Sequence, residues 1–570
     1  MSSKKFKAKD EGSAKPAVVG YYRSISEQLA SEFENEEQKE IFLSNVFEQL
    51  ANDINDVIFH KSTSFIVQRL LELANKEQLS SVMKIILKDF DKLIVHEVAS
   101  FSVQTALYRC SHFISSDEDN VFVKHIYQAG MALLERGELV VHDKCCFIVR
   151  ALLEVMAGCK LSVNSHRDGA NNQLKEHEFH SEFSDILLAL SSILLPTSNS
   201  LIGVVTVPHT AGTAQFVLRM LHKRFPSVCK DKCKEILRNG MLSHMNNQGL
   251  PQVLTDKTGS YFCEVFVEVL SKVPMGKLIK EVIIPHFDSL VELSHSNHVV
   301  QAAILNVKST AKVFNVLKGR FFHFLNGRQS FLIVKLLEAA VRFPTEQEEV
   351  LDSLKEEVGE DGNLIISLAV ESVEYNMADD GLPQRITHMS YGSSMIAQKL
   401  LDFPDTKFIC SAVANLSKEQ FVSLAFSKFG SRIFDAFMSS TNVDNNSKKA
   451  CASRLNPESC ILLATHPIGS RVFDTLWAHL TVPEKCSVAE AMSTSFRKIF
   501  ASKSGRVIAY NIQLTSFMHT RKEWDAWLIE QNKLRKKRAL GEEIIGDEVK
   551  HAATSEGTPA PKKKKKKKKT

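Results

Sequence analysis

The sequence has no run of about 18 apolar residues, the length a membrane-crossing helix needs. Its N-terminus carries Lys4, Lys5, Lys7 and Lys9 but no apolar core of a signal peptide. These absences predict a chain that neither spans a membrane nor is secreted. The 11 cysteines follow no framework: Cys145 and Cys146 are adjacent, and Cys229 and Cys233 lie four apart on an expected helix. No second Cys or His pair accompanies them at a metal-ligand spacing, so reduced, buried thiols and no metal are expected. A P-loop, a nucleophile elbow, an HExxH helix and a dinucleotide fingerprint are all missing, so neither catalysis nor a cofactor is expected. Alternating apolar and polar residues are missing too, which predicts an all-α fold.

Net charge is small in the body of the chain. Residues 531–570 carry 14 Lys or Arg against 5 Asp or Glu, a net of +9, and the total is only +5. The preceding 530 residues are therefore near −4, so any attraction for phosphate in the body must come from local patches.

What the sequence does have is repetition. Gly430-Ser431-Arg432-Ile433-Phe434-Asp435 returns 39 residues later as Gly469-Ser470-Arg471-Val472-Phe473-Asp474. A period of that size marks a solenoid. Relaxed to small or polar, flat, two apolar, polar, the motif recurs at Ser64, Ser100, Ser260 and Asn297 and more weakly at Cys146, Ala214, Ser330, Ser394 and Gly505. Eleven copies are placed, most of them 33 to 46 residues apart, each expected to be a helix paired with another.

On a helix, motif positions one and five lie about 40° apart, while positions three and four join the apolar stripe. Position two points away from that stripe. It holds Phe65, Phe101, Phe147, Tyr261, His298 and Phe331, and elsewhere Arg432, Arg471 and Arg506. Flat side chains repeating at one exposed register suit an unpaired nucleobase lying on them. The polar residues at positions one and five would flank that plane and reach a base edge. Those pairs are Ser64/Gln68, Ser100/Gln104, Cys146/Arg150, Ser260/Glu264, Asn297/Gln301, Ser394/Gln398, Ser431/Asp435 and Ser470/Asp474. Asp435 and Asp474 occupy equivalent places in successive repeats, so periodicity rather than paired-carboxylate chemistry accounts for them. Ala214/Leu218, Ser330/Val334 and Gly505/Ala509 hold no polar pair.

Ser260-Tyr261-Phe262-Cys263-Glu264 and Asn297-His298-Val299-Val300-Gln301 resemble the base-reading helices of Pumilio-type (PUF) RNA-binding repeats. The resemblance implies a curved right-handed α-solenoid of about eleven Pumilio-like repeats with helical caps. It also implies Asn297/Gln301 as a uracil reader, Ser260/Glu264 as a guanine reader, and Ser64/Gln68, Ser100/Gln104 and Ser394/Gln398 as adenine readers. The repeat number, a mid-array spacer and a lysine-rich end are similar to the nucleolar protein 9 family of ribosome biogenesis. That similarity implies a monomer of the nucleus and nucleolus that binds small-subunit pre-rRNA and shields it from premature cleavage among pre-ribosomal proteins. The Puf-6/Puf-A type, a nucleolar nucleic-acid binder of low sequence preference, and a HEAT- or armadillo-like protein scaffold are the competing readings.

The organisation expected is therefore a disordered basic N-terminus over 1–20, a repeat array over 21–530, and a disordered lysine-rich tail over 531–570 that ends in Lys562–Lys569. Within the array, 158–184 is polar and reads as a loop. Residues 344–363 carry eight acidic residues against one lysine and read as an acidic insertion, its carboxylates a solvated helical face. Trp524 and Trp527 are expected to seat a final capping helix.

Overall fold

The computed structural model describes residues 16–31, 33–115, 120–160, 174–241, 244–325, 329–360, 362–369, 389–531 and 533. Among them there is no strand, only an isolated bridge between Met245 and Pro251. The helices form an all-α solenoid that divides into two compact units, Met1–Val316 and Leu317–Thr570.

In the first unit the motif lies on six helices: α1 (Lys61–Leu73), α2 (Ala99–Cys110), α3 (Cys146–Ala157), α4 (Pro208–Arg224), α5 (Lys257–Val269) and α6 (Ser296–Asn306). Each packs on the next, and a second row of helices, among them Lys76–Lys88, Val121–Glu135 and Ser184–Leu194, packs alongside in the same order. Ile66, Val67, Leu70 and Leu71 show why α1 takes its orientation: all four are buried, and each contributes about 1.5–3 kcal/mol relative to exposure. Two N-terminal helices take the place of a preceding repeat. Pro16–Gln28 packs on α1 and Glu36–Val57 on Lys76–Lys88, which caps the apolar end that a solenoid would otherwise leave open. The first of these includes residues 16–20, part of the stretch 1–20 expected to be disordered, while residues 1–15 lie outside the described residues.

In the second unit the motif helices are α7 (Ser330–Ala340), α8 (Tyr391–Leu400), α9 (Ser431–Ser439), α10 (Gly469–Trp477) and α11 (Lys503–Asn511), again packed in sequence. The acidic stretch 344–363 does not interrupt this array. Pro344–Val358 is the outer helix of the α7 repeat, with Val350, Leu351 and Leu354 buried beneath its carboxylates. Its Glu357 carboxylate accepts from the backbone N–H groups of Phe321 and Phe322, both at 3.1 Å. At the C-terminal end Trp524 is fully buried and its indole N–H donates to the Ile512 carbonyl at 2.8 Å, seating the helix over 521–531.

The polar stretch 158–184 leaves α3 at Gly158, whose φ of +66° suits a glycine C-cap. It rejoins the array through Ser181–Phe183 and Ser184–Leu194; residues 161–173, like the tail beyond 533, lie outside the described residues. Two outer helices carry wide turns. Pro226–Glu235 runs into a π turn over Ile236–Met241, and Lys272–Leu278 into one over Ile279–Ile283, where Ile284 N–H donates to the Ile279 carbonyl at 2.9 Å.

One local device sets where several of the motifs fall on their helices. A capping residue accepts from the N–H three residues on, and the residue bearing that N–H immediately precedes motif position one. Asp256 caps Gly259, Ser427 caps Gly430 and Ser502 caps Gly505, at 2.7, 3.1 and 2.8 Å. The residue so fixed lies against the carbonyl six residues back. Thr63 and Thr210 donate their hydroxyls to it, at 2.6 Å to Val57 and 2.5 Å to Val204. At Gly259, Gly430, Gly469 and Gly505 an added Cβ would press on that same carbonyl.

Candidate nucleic-acid interface

This device corrects two motif registers. In α4 the fixed residue is Thr210, so position one is Ala211 rather than Ala214, position two is Gly212 and position five is Gln215. The alanine-rich stretch repeats the apolar pattern three residues out of step, and Thr213 and Ala214, both buried, are positions three and four. In α11 the fixed residue is Gly505, so Arg506 stands at position one instead of two. Ile508 and Ala509 are buried, while Val507 at position two is 52 % exposed and Tyr510 at position five 84 %.

The flat residues of the first unit stand out from their helices: Phe65, Phe101, Phe147 and Tyr261 are 68, 52, 55 and 52 % exposed. His298 is exposed as well. In the second unit Arg432 and Arg471 are exposed, whereas Phe331 is half-buried. An aromatic ring with half its surface in water, repeated from helix to helix at one register, is an apolar stripe without an internal reason. Position five lies close to the next repeat: the Arg150 guanidinium stands 4.8 Å over the Phe147 ring, with Gly212 of α4 beside it.

Position one is not the open partner that helical spacing predicts. Ser64, Cys146, Ser260, Asn297, Ser394 and Ser431 are buried, and Ser100 and Ser470 half-buried, because the following repeat closes over that side of the helix. The Ser64 hydroxyl contacts Ser102 Oγ at 3.0 Å and the Val98 carbonyl at 3.3 Å. Ser394 repeats the second contact in the other unit, donating to the Phe429 carbonyl at 2.7 Å.

Position one also holds position five. The amide of Gln68 donates to the Ser64 carbonyl at 3.3 Å, that of Gln398 to Ser394 Oγ at 2.9 Å, and that of Gln301 to Asn297 Oδ1 at 2.8 Å. Gln104 is half-buried. The shorter acids in α9 and α10 are tied across repeats instead, Asp435 accepting from the Thr475 hydroxyl at 2.7 Å and Asp474 from the Asn511 amide at 3.3 Å.

Glu264 differs from all of these. Its Oε1 is buried without a hydrogen-bond partner, and Ser260 donates to the Lys257 carbonyl at 2.9 Å rather than to it. Burial, reinforced by Glu268, pushes its carboxyl up to about 6. Beside the exposed ring of Tyr261 the fold thus leaves a half-buried acid with one carboxylate oxygen unsatisfied.

Sequence reasoning missed a set of histidines. His96 Nδ1 accepts from the N–H groups of Val98 and Ala99, both at 3.2 Å, and His466 Nδ1 from those of Ile468 and Gly469 at 3.2 and 3.1 Å. They cap α2 and α10 where serine or aspartate caps other motif helices. The signal was present, since His60, His96, His142 and His466 each stand four residues before a motif. Among the described residues no His, Cys, Asp and Glu group could hold a metal, and no helix is long and apolar enough to cross a membrane.

The pattern of the NOP9-like PUF repeat domain matches residues 171–507, more than half of the sequence. The chain belongs to this family. Nucleolar protein 9 of Mus musculus is 22 % identical, over 93 % of this chain and 91 % of its own length. The Homo sapiens protein of that name is 21 % identical over the same shares. Among solved structures, that of APUM23-GGAGUUGACGG superposes with a TM-score of 0.70 at 17 % identity, covering 90 % of this chain and 99 % of its own. That of APUM23-GGAAUUGACGG gives 0.69 at 17 % identity, with the same shares. These likenesses establish the repeat solenoid; membership in the NOP9-like family rests on the domain match.

Proposed function

We propose that this protein is an RNA-binding factor of the nucleolus. It holds unpaired segments of small-subunit pre-rRNA on its motif helices and acts in 18S rRNA maturation, shielding the bound RNA from premature cleavage. The observation that carries this reading is the row of exposed rings at position two, with the position-five amides of Gln68 and Gln301 held from below beside Phe65 and His298. Rings offer stacking, worth about 1–3 kcal/mol per base, and the held amides and Glu264 offer directed hydrogen bonds. Two further facts support it: the relatives are named nucleolar proteins, and the structural neighbours are described with an RNA sequence. The protein works as a binder rather than an enzyme, as a monomer among pre-ribosomal proteins, and tail residues 531–570 add phosphate contacts and a nucleolar address.

The test is crosslinking of the full chain to RNA in cells, with the crosslinked residues mapped. Crosslinks at Phe65, Phe101, Tyr261 and His298 to small-subunit pre-rRNA are expected. Indifference to single-stranded RNA at moderate salt would instead favour a protein-binding scaffold.

A further inference from the structure

The α8 repeat lacks a flat residue at position two, which is Met395. Tyr391, one turn earlier on the same helix, lies about 40° from that position and 41 % exposed. Its ring centroid is 5.7 Å from that of Phe331 on α7 and 5.5 Å from that of Phe429, which precedes α9. The three rings come from three successive repeats of one unit. The Arg432 guanidinium stands 5.9 Å over Tyr391 and 5.8 Å over Phe429, and the exposed Lys428 ammonium 5.3 Å over Phe429.

This alignment depends on a close approach of backbones. A Cβ at Gly392 would collide with Ser330 Oγ, so only glycine lets α8 come near enough to α7 to set Tyr391 against Phe331. An aromatic cluster serving the core would be covered; here Tyr391 is exposed, Phe331 and Phe429 are half-buried, and two cations lie against the rings.

We propose that Phe331, Tyr391, Phe429, Arg432 and Lys428 form a stacking track for single-stranded RNA, centred on Tyr391 one helical turn before position two of α8. A nucleobase lies on the exposed ring of Tyr391, and Arg432 and Lys428 hold the neighbouring phosphate. Stacking on a ring is sequence-tolerant, so the track takes any base and spaces the strand past the ring-free position of α8. The inference rests on the RNA-binding reading above.

The experiment uses the full-length protein and fluorescent single-stranded RNAs varied one nucleotide at a time, at fixed salt, with 2-aminopurine placed in turn along the strand. Tyr391→Ala should weaken every RNA about 5- to 150-fold, the worth of one stacked base. It should also abolish the quenching of one 2-aminopurine position. Tyr391→Phe should bind as the native chain does, and Tyr391→Leu, which keeps the packing but not the flat face, should behave like the alanine variant. Recovery of binding and quenching by leucine would make the ring a packing element and overturn the track. If Tyr261→Ala weakens binding while Tyr391→Ala does not, the track is wrong and the RNA reading stands. If neither does, the RNA reading falls and the track falls with it.

Discussion

The amide of Gln301 donates to Asn297 Oδ1 at 2.8 Å, and both side chains are buried on α6. The residue expected to read a base edge is therefore positioned by the one expected to read beside it. Asn297→Ala should leave Gln301 without this tether and relax discrimination at one nucleotide by about 1–3 kcal/mol, the cost of a mismatched hydrogen-bonding pair. His298→Ala should cost a similar amount for all bases. Competition binding with RNAs varied at that nucleotide separates the two outcomes.

Glu264 gives the interface a pH dependence. Its carboxyl moves from the ordinary 4.5 to about 6, chiefly through burial. Between those values the folded chain holds more protons than the unfolded one, so this group lowers stability as pH rises through that window. Binding runs the other way: a guanine edge donates to the ionised carboxylate, so preference for guanine should fade as pH drops through about 6. Glu264→Gln should remove the pH dependence and cost guanine about 1–3 kcal/mol relative to the other bases. Equal weakening for all four bases would mean that this repeat only positions the strand.

The histidine caps predict an acid-sensitive fold. Burial holds the imidazoles of His96 and His466 below the ordinary 6.5, in keeping with rings that accept through Nδ1. The folded chain then binds fewer protons, so the stability these caps provide is complete above pH 6.5 and declines as pH falls toward the folded values. Replacing His466 by serine should preserve the cap and flatten that decline, whereas alanine should cost about 1 kcal/mol at neutral pH. Thermal unfolding across pH 5 to 8, about the range over which histidine titrates, provides the measurement.

Removing residues 531–570, with their net charge of +9, should weaken all RNAs alike. The salt slope should fall by about 0.7 for each single-strand phosphate that the tail had neutralised. A changed base preference with an unchanged slope would assign the tail another role.

The repeat and its stripe of rings were legible because the apolar doublet at positions three and four fixes one face of a helix, and position two must then point elsewhere. Register failed where that doublet was not distinctive. Ala211 to Ala214 offers small residues throughout, and Val507 imitates a core residue until the packing at Gly505 shows otherwise. Burial of Ser64 and Ser394 was not legible, because helical angles locate a residue on its own helix but do not say how closely the next repeat closes over it. The acidic count over 344–363 hid Val350, Leu351 and Leu354, three residues that suffice to seat a helix. Tyr391 lies outside the five-residue frame altogether, and only the close approach of Gly392 to Ser330 brings it into the row.

The π turns at Ile236–Met241 and Ile279–Ile283 lie in the outer row of the first unit, not in its motif helices. A turn closed from residue i to i+5 accommodates one residue more than an α-turn does. The outer row can thus absorb an inserted amino acid as a local widening, while the spacing between Tyr261 and His298 on the motif helices is kept. Tolerance of changes in chain length is thereby placed in the row that carries none of the motif positions.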